Sequence, residues 1–301
     1  MPLAALRLTL AFLVIGAIPA QAPAQILVST DWLAKHLRDP GLVVIHASQQ
    51  KTDYDAGHVP GARFLPWSGY TIQHDGLSTE LPDAAQVDSA LEGIGVSDNS
   101  RIVITGGPIT NTARLYYTLD YFGLAAHVSL LDGGIDAWRE EGRPIDRTTT
   151  TATARGSVTL HPQSSKLADA KWITANTAAP GNHVAVLDAR VPEFFAGLAI
   201  NNTPRAGRLP MAQNVPFSWL TGELTRFRDR PKLARLFAEA GVHKGDTVVT
   251  YCHIGQQASV LYVAARILGY DAAVYDGSFE DWSKRSELPV GSGPATPRPR
   301  R

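Results

Sequence analysis

A single cysteine, Cys252, stands in a chain of 301 residues. One thiol excludes an intramolecular disulfide, and it equally excludes CxxC and four-cysteine metal sites. An excess of charge of one sign is also missing, since 28 basic residues face 28 acidic ones. Nucleic acid or an anionic surface would select a basic excess, so neither is expected as a partner. Near the start, Leu8 to Ile18 is apolar but too short to span a membrane. No zinc, haem or nucleotide motif occurs, and neither a metal nor a cofactor is expected. Gly106-Gly107 and Gly133-Gly134 read as turns, because neither has the GxxG spacing and acidic partner of a dinucleotide site.

The apolar run follows one positive charge, Arg7, and precedes small residues, as in an export signal. Ala22-Pro23-Ala24 suits a signal peptidase, which would leave a mature chain beginning at Gln25 in the periplasm or outside the cell; an N-terminal membrane anchor is the alternative. The remainder is long enough for two domains of about 150 residues or fewer.

The two halves repeat each other. Leu42-Val43-Val44-Ile45-His46-Ala47-Ser48 reads against Val184-Ala185-Val186-Leu187-Asp188-Ala189-Arg190. Pro60, Ala62, Pro66 and Ser68 return as Pro210, Ala212, Pro216 and Ser218, and Gly57 returns as Gly207. Leu131-Asp132-Gly133-Gly134 with Trp138 returns as Tyr275-Asp276-Gly277-Ser278 with Trp282. Short β-branched runs, Ile102 to Thr105 and Thr247 to Thr250, alternate with helical stretches at 83–91, 112–122, 231–240 and 258–268. Strand and helix in alternation predict an α/β fold of two tandem domains, each a mainly parallel sheet with helices on both faces. The boundaries read as a signal peptide at 1–24, a first domain at 25–145, a Thr- and Ser-rich linker at 146–165, a second domain at 166–290 and a disordered tail at 291–301.

In such sheets ligands sit where a strand's carboxyl end meets a helix. Cys252 is at that place: Val248 to Tyr251 form a strand, Cys252-His253-Ile254-Gly255-Gln256-Gln257 a six-residue loop, and a helix follows. A loop so tight turns its N–H groups inward and makes a nest for negative charge. A sulfur there is expected to have a depressed pKa and to be a thiolate near neutrality. The alternative is a small buried hydrophobe. In the first half Gly106 stands opposite Cys252, so only the second half carries a nucleophile.

These residues resemble the tandem rhodanese sulfurtransferases from about Trp32 to Pro289. The landmarks are Gly57-His58-Val59-Pro60-Gly61-Ala62, the Asp188-Ala189-Arg190 strand end, the Cys252 loop, and Asp-Gly with a following Trp near each domain end. The resemblance implies two rhodanese-like domains, the first inactive. It implies that Cys252 takes the outer sulfur of a donor such as thiosulfate and passes it to cyanide, a thiol or a sulfur-accepting protein. Arg190 is the candidate for holding the sulfonate, or else the ion-pair partner of Asp188; His253 could assist as a cation, with Ile254, Gly255, Gln256 and Gln257 completing the cradle.

Gln257 replaces the basic residue that closes many such loops, and Ile254 replaces the serine of mercaptopyruvate-type loops. Thiosulfate is favoured because His253, Arg190 and Arg205 or Arg208 could supply positive charge; 3-mercaptopyruvate is the alternative donor. A cysteine phosphatase would need arginine where Ala258 stands. A non-enzymatic persulfide carrier or sulfur-binding module remains the other reading. The chain is expected to act as a monomer.

Overall fold

The largely apolar run Leu42–Ser48 forms a strand inside a parallel sheet, where burial on both faces explains the consecutive apolar residues Leu42 to Ile45. The computed structural model describes residues 25–178 and 181–294. The first half contains β1 (Leu27–Val28), β2 (Leu42–Ser48), β3 (Arg63–Pro66), β4 (Ile72–His74), β5 (Leu77–Glu80), β6 (Arg101–Gly106) and β7 (Val128–Leu131). β4 and β5 pair as a separate antiparallel hairpin; the other five make a parallel sheet in the order β1-β7-β6-β2-β3. The second half contains β8 (Leu167–Ala168), β9 (Val184–Asp188), β10 (Gln213–Asn214), β11 (Thr247–Tyr251) and β12 (Asp271–Tyr275). Their order, β10-β9-β11-β12-β8, repeats the first sheet strand for strand. The central strands β6 and β11 end at Gly106 and next to Cys252.

The helices are α1 (Thr30–His36), α2 (Lys51–Asp55), α3 (Ala84–Gly93), α4 (Ile109–Tyr121), α5 (Gly134–Glu140), α6 (Ala170–Thr177), α7 (Pro192–Phe195), α8 (Arg230–Glu239), α9 (Gln256–Leu268) and α10 (Ser278–Lys284). α3 and α8 start at corresponding aspartates: Asp83 accepts from Gln86 N at 2.8 Å and Asp229 from Lys232 N at 2.9 Å. Each cap is worth about 1 kcal/mol. α4 and α9 begin earlier than their apolar patterns predict. Gln256 and Gln257, expected in the loop, form the first turn of α9 instead, because Gly255 makes the left-handed turn (φ 82°) that starts the helix.

The halves meet where α4 packs on α9. Residues Asn111 to Asp120 are all buried, and Leu115, Tyr117 and Leu119 share one core with Leu261, Tyr262 and Ala265. A helix buried all round lies within a molecule. The Tyr117 and Tyr262 rings meet edge to face at 5.1 Å. Asp120, fully buried, accepts from Tyr262 Oη at 2.8 Å and Arg266 Nε at 3.2 Å, and also pairs with Lys166. On the outer faces Trp138 packs with Val44 and Val103, and Trp282 with Val186 and Val249.

The segment 146–165, read as a linker, is laid along the first half by backbone hydrogen bonds: Gly156 N to Glu92 O at 2.8 Å and His161 N to Phe122 O at 2.9 Å. The tail is ordered further than expected. Gly291 bridges Arg208, and Gly293 N donates to Ala196 O at 2.9 Å. The expected leader, 1–24, and residues 295–301 lie outside the described residues. Among the described residues no helix is long and apolar enough to cross a membrane.

Candidate active site

Cys252 leaves the carboxyl end of β11, and the Tyr251–Asp188 register places Asp188 to Arg190 at the end of the neighbouring strand β9. Three hydrogen bonds fix the loop to the first turn of α10. Cys252 N donates to Ser278 Oγ at 3.2 Å, while Phe279 N donates to Cys252 O at 3.0 Å and Glu280 N to His253 O at 2.9 Å. Ser278 itself is held through its Oγ, which donates to Tyr275 O at 2.8 Å.

The cysteine is 0% exposed. Burial pushes its thiol above the ordinary range, and the backbone N–H groups of Ala258, Ile254 and Gln257 pull against that. The depressed pKa expected from the loop nest is therefore corrected in direction. The amides are there, but desolvation of the enclosed sulfur outweighs them.

The expected cations all have surroundings within the protein that can be named. Arg190 is 2% exposed, and its Nη2 donates to Asp188 Oδ2 at 2.6 Å and to Gly207 O at 2.7 Å. Its Nε reaches both Asp188 oxygens at 3.0 and 3.1 Å, so the ion pair, the alternative reading, occupies this guanidinium. Arg205 donates to the carbonyls of Ser283, Leu288, Trp282 and Arg285. Arg208 donates to those of Phe195, Gly293 and Pro294. His253 packs edge to face on Phe194 at 4.6 Å, and burial, then Arg190, lowers its pKa to about 4. At neutral pH it is an uncharged ring.

The His253 shift has a measurable consequence. A ring that protonates near pH 4 when folded but near 6.5 when unfolded lets the unfolded chain bind more protons, so stability falls as pH drops through that window. The decline in melting temperature between pH 6.5 and 4 is expected to be shallower in His253→Asn than in the parent; equal slopes would contradict the buried neutral ring.

Of the remaining loop residues, Gly255 is buried while Ile254, Gln256 and Gln257 are half-buried. Gln256 Nε2 donates across to Asn111 Oδ1 of α4 at 2.7 Å. Sequence reasoning missed Asn111 and Ser278. Only Ser278 left a signal, as the position where the second Asp-Gly motif departs from Gly134. No group of three or more His, Cys, Asp or Glu is placed to hold a metal among the described residues.

The counterpart in the first half shows why it lacks a nucleophile. Gly106 has φ 128°, and a Cβ there would lie 2.4 Å from Ala47 O, so no cysteine fits this backbone. Its loop also reaches helix α4 one residue sooner, through Pro108, which has no N–H to offer.

This arrangement can be set beside known proteins. The description "Rhodanese-like domain" matches residues 29–141 and again 169–285. A protein of Mycolicibacterium smegmatis named "Putative thiosulfate sulfurtransferase" is 30% identical over 288 residues, covering 90% of this chain and 99% of that one. One of Mycobacterium leprae with the same name is 29% identical over 283 residues, with the same coverage. Among solved structures, YnjE superposes with a TM-score of 0.80 at 20% identity, covering 90% of this chain and 69% of that one. The anaerobic ergothioneine biosynthesis enzyme of Chlorobium limicola does so with a TM-score of 0.79 at 19% identity, over 89% and 70%. These two likenesses concern the fold. Each matched segment spans four of the five strands of one repeated sheet, all but β1 or β8, and the chain belongs to the rhodanese-like domain family, carrying the domain twice.

Proposed function

We propose that the protein is a thiosulfate sulfurtransferase that carries sulfane sulfur on Cys252. The observation behind this reading is the set of three amides, from Ile254, Gln257 and Ala258, acting on the sulfur of the chain's one cysteine. The names of its relatives supply the donor class. In the first step the Cys252 thiolate attacks the outer sulfur of thiosulfate. A new S–S bond forms, the bond to the sulfonate sulfur breaks, and sulfite leaves with the electron pair. In the second step an acceptor such as cyanide takes the outer sulfur as thiocyanate and returns the thiolate.

Negative charge passes from one sulfur to the next in both steps, and fixed N–H dipoles in a dry site stabilise it without reorganising. The raised thiol pKa makes proton loss part of the cost of the first step. With Arg190, Arg205 and Arg208 bound to partners, donor recognition falls to the loop amides.

Incubation with thiosulfate followed by intact-mass measurement tests the reading. One added sulfur atom, removed by cyanide, is expected; no addition from thiosulfate or 3-mercaptopyruvate overturns it. Addition without catalytic turnover would point to a carrier, and a higher kcat/KM with 3-mercaptopyruvate would change the donor. The reading includes export, for which a mature amino terminus at Gln25 in the natural host is the expected result.

A further inference from the structure

The cysteine-free first half reaches the catalytic loop from behind, through α4. Arg114 on that helix is 0% exposed, an expensive place for a guanidinium unless it is paired. Both its terminal nitrogens donate to Asp276 of the second half, Nη1 to Oδ1 and Nη2 to Oδ2 at 3.1 Å. Asp276 Oδ2 also accepts from Leu81 N at 2.6 Å, just beyond the β4–β5 hairpin. That hairpin grips the same turn again, because Ser78 donates to Glu280 through N at 2.8 Å and through Oγ at 3.0 Å. Glu80 faces the pair, and burial together with Asp276 pushes its carboxyl up to about 8, which leaves Arg114 one carboxylate to neutralise at neutral pH.

The pair lies directly against the residue that shapes the cradle. At Gly255 a Cβ would meet Asp276 O at 2.9 Å, Arg114 Nη1 at 3.0 Å and Asp276 Oδ1 at 3.1 Å. The left-handed turn at Gly255 aims the first amides of α9 back at Cys252. One helical turn before Arg114, Asn111 holds the side chain of Gln256, the next residue along. The other end of the loop is fastened by Ser278, two residues after Asp276.

We infer that Asn111 and Arg114 of the first half, with Asp276, form a positioning clamp that holds the Gly255 turn and so keeps the α9 amides on the Cys252 sulfur. The nucleophile-free half thereby contributes to chemistry it cannot perform. The inference rests on the proposed function only in taking Cys252 as the reacting group, and it predicts two coupled effects. When the turn loosens, the thiolate loses aligned donors, and the group that should attack is held less well.

The test uses the full chain with Arg114→Lys, which keeps a charge but loses the two-pronged contact. Ultraviolet absorbance against pH, taken as the difference from the same protein carrying Cys252→Ser so that tyrosinate cancels, reports the Cys252 thiolate, since there is no other cysteine. A midpoint raised by roughly one pH unit is expected. A kcat lower by on the order of tenfold should accompany it, with KM little changed. Asn111→Ala is the second variant, expected to shift both quantities in the same direction; it decides the matter if Arg114→Lys does not fold. An unmoved midpoint in either folded variant overturns the clamp. The titration needs no donor, so a wild type that accepts no sulfur would count against the proposed function and leave the clamp to be judged on the midpoint.

Discussion

Cys252→Ser is expected to take up no sulfur from thiosulfate, with turnover below about a thousandth of the parent rate, as for removal of a covalent nucleophile. The change is small in space, oxygen for sulfur at a fully buried position, so the fold should persist with a similar melting temperature. The loss is chemical. A serine hydroxyl holds its proton far more tightly than a thiol. His253 is the neighbour in sequence, but its ring is committed to a packed position against Phe194, and its pKa of about 4 makes it a poor base. Intact mass after thiosulfate treatment checks the result without relying on a particular acceptor. A serine variant that still gained one sulfur would place the transfer elsewhere and remove the cysteine from the mechanism.

The second large effect is on stability, and it follows from the fate of Arg190. Arg190→Ala leaves Asp188, 0% exposed, without the guanidinium that neutralises it. Breaking one side of a buried pair costs about 3–5 kcal/mol. In a chain of this size that corresponds to a fall in melting temperature on the order of 10 °C. Asp188 is also one of the charges that raise the Cys252 thiol, so its unopposed charge should push the thiolate midpoint higher still. Donor KM in the protein that remains folded should be little changed, because the guanidinium is spent on Asp188 and Gly207 O. A variant with full stability and a sharply raised donor KM would instead restore Arg190 as the sulfonate-binding group. Replacing Asp188 and Arg190 together by leucine should recover much of the stability lost in the single variant.

What could be read along the chain was periodic or repeated. Leu42 to Ser48 and Val184 to Asp188 are strands because their apolar runs are short, β-branched and matched between halves. α8 carries proline in its first turn and Gly241 after its end, local signals that need no distant partner. Boundaries failed where a loop and a helix share residues. Gln256 and Gln257 look like loop in composition, yet the turn at Gly255 commits them to α9. Arg114 sits among apolar residues and left no trace of its purpose, since its partner Asp276 lies far along the sequence in the other half.

Residue order and type alone were enough to show two similar α/β halves, a single cysteine in one strand-to-helix loop, and Gly106 at the corresponding position of the other. These follow from order and residue type, which survive any change in packing. Tertiary structure alone decided the charge state of the site and the identity of its supports. An arginine at the end of the strand beside the cysteine's can bind a substrate or a carboxylate, and only the position of Asp188 chooses between them. A thiol at a helix amino terminus is lowered by its amides and raised by burial, and only the enclosure of Cys252 shows that burial outweighs them. Both outcomes depend on desolvation and on contacts between distant segments, quantities that have no value until the chain has folded.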